Sequence, residues 1–308
     1  MDSSSSRPLL AWLQLFRLPN VFTAVADVLM GYIFTHSMQS SFGPEWFLSI
    51  KLWALIASTC CLYSAGMVLN DVFDYDIDKA ERPERPLPSG RINRRLASTV
   101  GYGLLGAGIA VAFVAGLQSA LVALLLAVAV FVYDGVAKQT PVAPVVMGSC
   151  RMLNVLLGMS CAVTLLQTDQ LLIAGGLGTY VAGITWFARC EAKDSNRNML
   201  IFGLTVMGIG IAMMGFLPWY TDQRLLFASK MYWPTLLVLL MVSVVRRCMV
   251  AIAAPEPANV QNAVKHSIFS LVVLDAAVVL AVAGPLPAVI VLALLIPTVF
   301  LGRFIYST

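Results

Sequence analysis

The chain has 308 residues, of which 59% are apolar and only 12% charged, and its mean hydropathy is +0.83. A soluble domain carries about 25% charged residues, so this composition excludes a soluble enzyme, a disordered chain and a disulfide-stapled secreted domain and leaves an integral membrane protein. The net charge of +4 is too small to point to a nucleic-acid partner.

A bilayer-crossing helix needs about 20 apolar residues. Ten such runs follow one another, at 20–36, 47–69, 97–115, 117–133, 142–166, 170–188, 199–218, 231–250, 264–283 and 285–303. They predict an all-α, polytopic membrane bundle of nine to ten transmembrane helices. No soluble domain interrupts them, so residues 1–308 are expected to form a single membrane-embedded domain, with 1–16 as an N-terminal cytoplasmic segment. The opening stretch lacks an apolar run followed by an A-x-A-like site, which argues against a cleaved signal peptide. Gly116, Gln118 and Ser119 make only a slight break between the third and fourth runs, predicting a tight helical hairpin, and Gly284-Pro285 is an equally slight break before the last. The stretch 251–263 is rich in Pro and Ala and reads as plain linker. The six cysteines show no CxxC or Cys/His metal spacing and read as small hydrophobes.

Lys and Arg set the orientation. Sixteen of the 20 fall on the termini and connections of one side, three (Lys51, Arg224 and Lys230) on the other, and Arg151 inside a run. By the positive-inside rule both termini and the acid-rich loops are cytoplasmic, in the inner or plasma membrane.

Six of the 16 acidic residues lie in one stretch, which continues the second apolar run: Asn70-Asp71-Val72-Phe73-Asp74-Tyr75-Asp76-Ile77-Asp78-Lys79-Ala80-Glu81, then Arg82-Pro83-Glu84-Arg85-Pro86-Leu87-Pro88-Ser89-Gly90-Arg91. On a helix running to about residue 82, Asp71, Asp74 and Asp78 form one stripe bordered by Asn70. The prolines at 83, 86 and 88 end that helix. Like charges on one face repel, and a hard cation with carboxylate and amide ligands relieves the repulsion. Mg²⁺ typically takes one or two carboxylates plus substrate phosphates. Arg82, Arg85 and Arg91 add the planar donor forks that suit phosphate. Together these residues form a natural receptor for a diphosphate, whereas a solvated loop of cancelling charges would have no reason to be periodic.

The run N-D-x-x-D-x-x-x-D at 70–78, followed by R-P-x-x-R-P-x-P-S-G at 82–90, resembles the first signature of the UbiA superfamily of intramembrane prenyltransferases. The resemblance covers most of the chain, because charged connections follow the second and sixth runs as the family pattern requires. With M-G-S-C-R-M-L-N-V-L-L-G-M-S at 147–160, the chain looks closest to the EboC-like branch. The resemblance implies a UbiA-like bundle with an active-site cavity opening to the cytoplasmic side. It implies Mg²⁺ as cofactor, an isoprenyl diphosphate as substrate, the lipid bilayer as surroundings and a prenyl acceptor that one sequence does not identify. Asn70, Asp71, Asp74 and Asp78 are then the metal-binding residues of the first loop, with the three aspartates as catalytic residues.

Other positions carry over by the same resemblance. Asn20, in Arg17-Leu18-Pro19-Asn20, either reaches the site or caps a helix. Tyr133 and Lys138 resemble a tyrosine–lysine pair that binds diphosphate, with a spacing one residue longer than Tyr-x-x-x-Lys; Asp134 beside them has no family role. Arg151 and Asn154 lie within the fifth run, where ionisable groups are functional by default; an Arg bonded only to backbone carbonyls is the bland alternative. The second signature departs from the pattern. Ala188-Arg189-Cys190-Glu191-Ala192-Lys193-Asp194 offers only Glu191 and Asp194 as metal ligands. That thinning leaves a second reading open, a UbiA-like protein that binds or moves a lipid or precursor with little or no catalysis. Asp27 and Asp275, also within apolar runs, either line the cavity or form paired structural groups.

Overall fold

The computed structural model describes residues 8–37, 44–189, 196–221, 225 and 230–304. A short α1 (Pro8–Leu15) leads into α2 (Leu18–His36), a 3₁₀ turn (Pro44–Leu48) and α3 (Ile50–Phe73), which passes into α4 (Tyr75–Glu81). A hairpin of α5 (Arg94–Ala115) and α6 (Leu117–Val132) follows, then α7 (Ala143–Met159), α8 (Thr168–Ala188), α9 (Arg197–Gly215), α10 (Leu217–Tyr220), α11 (Tyr232–Ala253), α12 (Pro257–Ala283), α13 (Pro285–Ala293) and α14 (Leu295–Phe304). No strand occurs among the described residues. Nine helical spans among them are long and apolar enough to cross a membrane, α13 and α14 together forming the last. The remaining apolar run, the fifth, is α7, whose 17 residues make it about 25 Å long, short of the about 30 Å hydrocarbon core.

Three predicted boundaries move, each for a local reason. The run 142–166 stops being helical at Met159, where the Ser160 hydroxyl donates to the Leu157 carbonyl at 2.6 Å and competes with the backbone ladder. The last run breaks at Leu294 because Pro297 lacks an N–H and its ring clashes with the carbonyl four residues back, at Ala293. The supposed linker at 251–263 is mostly helix, since Pro257 sits in the first turn of α12, the one place a helix tolerates it. The hairpin break is as expected: Gly116, at φ 142°, joins α5 directly to α6.

Helix α2 occupies the middle of the bundle and touches α3, α7, α12, α13 and α14. It meets α7 backbone to backbone: a Cβ at Gly158 would lie 2.4 Å from the Val28 carbonyl oxygen, and one at Gly31 2.6 Å from that of Val155. Lipid tails are as apolar as the helices, so packing this close, together with buried polar bonds, drives association. The polar bonds come from Asp27, which is fully buried. Its Oδ2 pairs with Arg151 Nε at 2.6 Å and accepts from Asn154 Nδ2 at 2.8 Å, both on α7. Thr59 of α3 donates to Asn154 Oδ1 at 2.6 Å. The Asp275 carboxyl of α12, also fully buried, lies against that of Asp27. Of these two carboxyl groups it is Asp27 that pairs directly with the Arg151 guanidinium.

Gly158→Val is expected to lower stability by about 1–3 kcal/mol through overpacking against a rigid backbone, whereas Gly103→Ala, with open space around its Cα, should leave it unchanged or raised. Asp27→Ala removes the carboxylate that pairs with Arg151 and accepts from Asn154, and should cost about 3–5 kcal/mol; Asp275→Asn, which breaks no direct bond, should cost less. Thermal unfolding in detergent separates these four variants.

Candidate active site

The site is built where α3 leaves the bundle. The helix bends at Asp74 but keeps its ladder: Asp74 N–H donates to the Asn70 carbonyl at 2.9 Å, Asp78 N–H to Asp74 at 2.8 Å and Arg82 N–H to Asp78 at 2.8 Å. The predicted stripe of Asn70, Asp71, Asp74 and Asp78 therefore survives across the bend. After Glu81 the prolines turn the chain back on itself, with Ile92 N–H on the Pro86 carbonyl at 3.1 Å and Gly90 at φ 73°. Ala11, Leu15, Val68, Leu87 and Ile92 form a small separate core that holds α1 and this loop onto the end of α3.

That fold-back carries Arg85 under the acids. Its Nη1 donates to Asp78 Oδ2 at 2.7 Å and lies 3.7 Å from Asp71 Oδ1. Arg17 reaches the same Asp71 oxygen from the other side at 3.0 Å. Its backbone is left-handed, φ 45° and ψ 48°, a conformation that costs a non-glycine residue about 1–3 kcal/mol and collects at functional sites. Lys138 pairs with Asp74, and Asn70 Nδ2 donates to Asp134 Oδ1 at 2.9 Å. The extra residue between Tyr133 and Lys138 is absorbed in one π-helical turn, Tyr133–Ala137.

These groups line one end of a cavity of about 730 Å³. Asn20, Asn70, Asp74, Asp78, Arg82, Arg85, Tyr133, Lys138, Arg151 and Asn154 all face it, as do Arg17, Tyr63, Glu81 and Asp134. Deeper in, Leu62, Met67, Leu126, Val130, Met147, Ile184 and Leu271 supply apolar wall, and Thr23, Thr59, Arg151 and Asn154 form a polar floor. Asn20 lines the cavity rather than capping: α2 has no side-chain cap. Arg151 is not held by carbonyls alone; besides Asp27 it donates to the Thr23 carbonyl at 3.0 Å. Two expected residues lie off the cavity. Asp71 sits behind it, between Arg17 and Arg85, and Arg91 braces the loop through Gln14 Oε1 at 3.0 Å and the Glu84 carbonyl at 2.7 Å. Glu191 and Asp194 lie outside the described residues. Sequence reasoning passed over Arg17 and Asp134; the signals were the Arg-Leu-Pro-Asn opening and the anomalous tyrosine–lysine spacing.

Asp74, Asp78 and Asn70, the members of the stripe that face the cavity, offer oxygen donors: two carboxylates and an amide. Among the described residues no three His, Cys, Asp or Glu side chains converge on one point. Two carboxylates and an amide fit a cation that completes its shell with water and phosphate, as Mg²⁺ does, and suit Zn²⁺ poorly.

Known proteins share the sequence pattern in part and the fold over most of the chain. Digeranylgeranylglyceryl phosphate synthase of Metallosphaera sedula is 35% identical over 129 residues, 42% of this chain and 43% of that one. The synthase of the same name from Saccharolobus solfataricus is 32% identical over 131 residues, 42% and 44% of the two chains. The matched stretches thus span less than half the length of these curated relatives. Among solved structures, one of digeranylgeranylglyceryl phosphate synthase superposes with a TM-score of 0.67 at 18% identity, covering 89% of this chain and 98% of the other. A UbiA homologue from Archaeoglobus fulgidus bound to GPP and Mg²⁺ superposes at 0.66 with 12% identity, covering 92% and 99%. The model of the UbiA prenyltransferase family matches residues 28–262, and the chain, a multi-pass helical membrane protein with this fold, belongs to that family.

Proposed function

We propose that this chain transfers a prenyl group from an isoprenyl diphosphate to an acceptor within the membrane, with Mg²⁺ as cofactor. The observation that carries the reading is the cavity, charged and oxygen-rich at one end and apolar behind. Asn70, Asp74 and Asp78 would hold the metal. When bound, Mg²⁺ would offset the negative charge that grows on the leaving diphosphate. Arg82, Arg85 and Lys138 present donors to the diphosphate oxygens. Asp71 acts from behind by holding Arg17 and Arg85 in place. The allylic C–O bond breaks with its electron pair leaving on the diphosphate; the acceptor's nucleophilic atom bonds that carbon and gives up a proton. The apolar walls keep water from the allylic cation meanwhile.

The relatives are named for a glyceryl phosphate bearing two geranylgeranyl groups, which supports a hydroxyl of a glycerol-phosphate lipid as the acceptor class to test first. The EboC-like placement rests on the sequence resemblance. The positive-inside count supports a cavity mouth and both termini on the cytoplasmic side.

Purified protein in lipid nanodiscs, given geranylgeranyl diphosphate, is expected to release diphosphate with Mg²⁺ and not with EDTA. Asp74→Asn should lower the rate by about 10²–10³-fold, the scale for losing one preorganised electrostatic contact. Tight Mg²⁺-dependent binding without release would instead favour the carrier reading. For orientation, Lys230→Cys is expected to react with an impermeant thiol reagent from outside the cell, and a reporter fused to either terminus to read as cytoplasmic.

A further inference from the structure

Between α6 and Lys138 the chain leaves the α-helical period. Lys138 donates its backbone N–H to the Tyr133 carbonyl at 2.9 Å, an i→i+5 bond. Along an ideal α-helix five residues turn through about 500°, which would set Tyr133 and Lys138 about 140° apart. The wider turn brings both to the cavity wall with Asp134 beside them. Single π turns of this kind recur at functional sites. Gly135 inside the turn eases the departure from helical geometry.

Asp134 has no part in the reaction described above, yet it is bonded to Asn70, which does. It accepts from Asn70 Nδ2 at 2.9 Å, across from the π turn to α3. A carboxylate only accepts, so the Asn70 amide must turn its nitrogen toward Asp134. Its carbonyl oxygen becomes the end able to meet a hard cation. Reversed, the amide would present N–H groups to the cation and repel it.

We propose that Asp134 is a positioning residue that locks the Asn70 amide with its oxygen toward the divalent-cation site. The inference rests on Asn70 being a cation ligand, as in the reading above. Asp134 acts here through a neutral amide and without touching the diphosphate. Its effect therefore falls on the cation requirement, whereas loss of a diphosphate contact would weaken the anion at every cation concentration.

The test uses full-length protein in nanodiscs and inorganic diphosphate as probe, with the Mg²⁺ concentration for half-maximal binding as the readout. Asp134→Leu is expected to raise that concentration by about 10–100-fold, the scale for losing an outer partner of a metal ligand, while binding at saturating Mg²⁺ stays near wild type. Asp134→Asn, which still offers an acceptor oxygen to Asn70, should stay near wild type throughout. Asn70→Ala should show the same raised requirement as Asp134→Leu, and the double variant no further rise. Asp134→Ala replaces the leucine variant if bulk prevents folding. A leucine variant with a wild-type Mg²⁺ requirement overturns the inference, and so does an asparagine variant as impaired as leucine, which would make the charge the active feature. Wild-type protein that binds diphosphate equally with and without Mg²⁺ would overturn the cation reading itself.

Discussion

The constraint on which the mouth of the cavity depends is that carboxylates cannot sit among membrane helices without cations beside them. Asp71 and Asp78 are almost fully buried, and an unpaired charge in such a place costs several kcal/mol. Each acid is met by a base from a different part of the chain: Arg17 from the turn before α2, Arg85 from the folded-back loop and Lys138 from the turn after α6. The acids thereby draw three separate segments to the end of α3. The prolines at 83, 86 and 88, the left-handed Arg17 and the π turn are the backbone devices that let those segments arrive. α1 belongs to the same arrangement, since its Ala11 and Leu15 pack on the loop that carries Arg85. The N-terminal segment is thus a brace for the site as well as the start of the chain.

The same rule operates deeper in the bundle with a different outcome. Arg151 is paired with Asp27 and bonded to Thr23, so its charge is already met. The floor is polar, and it joins α2, α3 and α7 where glycines bring the first and last of these into backbone contact. Polar bonds and close packing coincide there because each supports the other: small residues allow the approach that short bonds require.

How much of this was legible in the sequence follows from how local each feature is. The succession of membrane spans was, to within one, since apolar runs are a property of neighbours along the chain. The Asn70–Asp78 stripe and its proline stop were, because a helix face is fixed by spacing alone. The break at Leu294 was within reach, as Pro297 announces it. The return of Arg85 beneath Asp78 was not, because it depends on a loop closing over a small core contributed by α1. Nor was the pairing of Asn70 with Asp134, 64 positions apart; the only trace was one residue too many before Lys138. Asp71 shows the limit of motif reading, for it lies in the signature but behind the wall, supporting arginines rather than facing the cavity.

The charges facing the mouth explain why a diphosphate would need a cation to enter with it. Arg17, Arg82, Arg85 and Lys138 stand against Asp74, Asp78, Glu81 and Asp134, four of each sign. With Asp71 behind them the balance tips negative. Such a mouth has no net attraction for a free anion, and Arg17, Arg85 and Lys138 are already engaged by acids. A divalent cation held by Asn70, Asp74 and Asp78 would change both facts at once, by adding positive charge and by loosening the hold of the acids on Lys138 and Arg85. In the floor Arg151 is already held by Asp27, and apolar wall lies between it and the mouth. The orientation of an amphiphile in this cavity, head at the mouth and tail inward, therefore follows from charge placement before any contact specific to the tail is made.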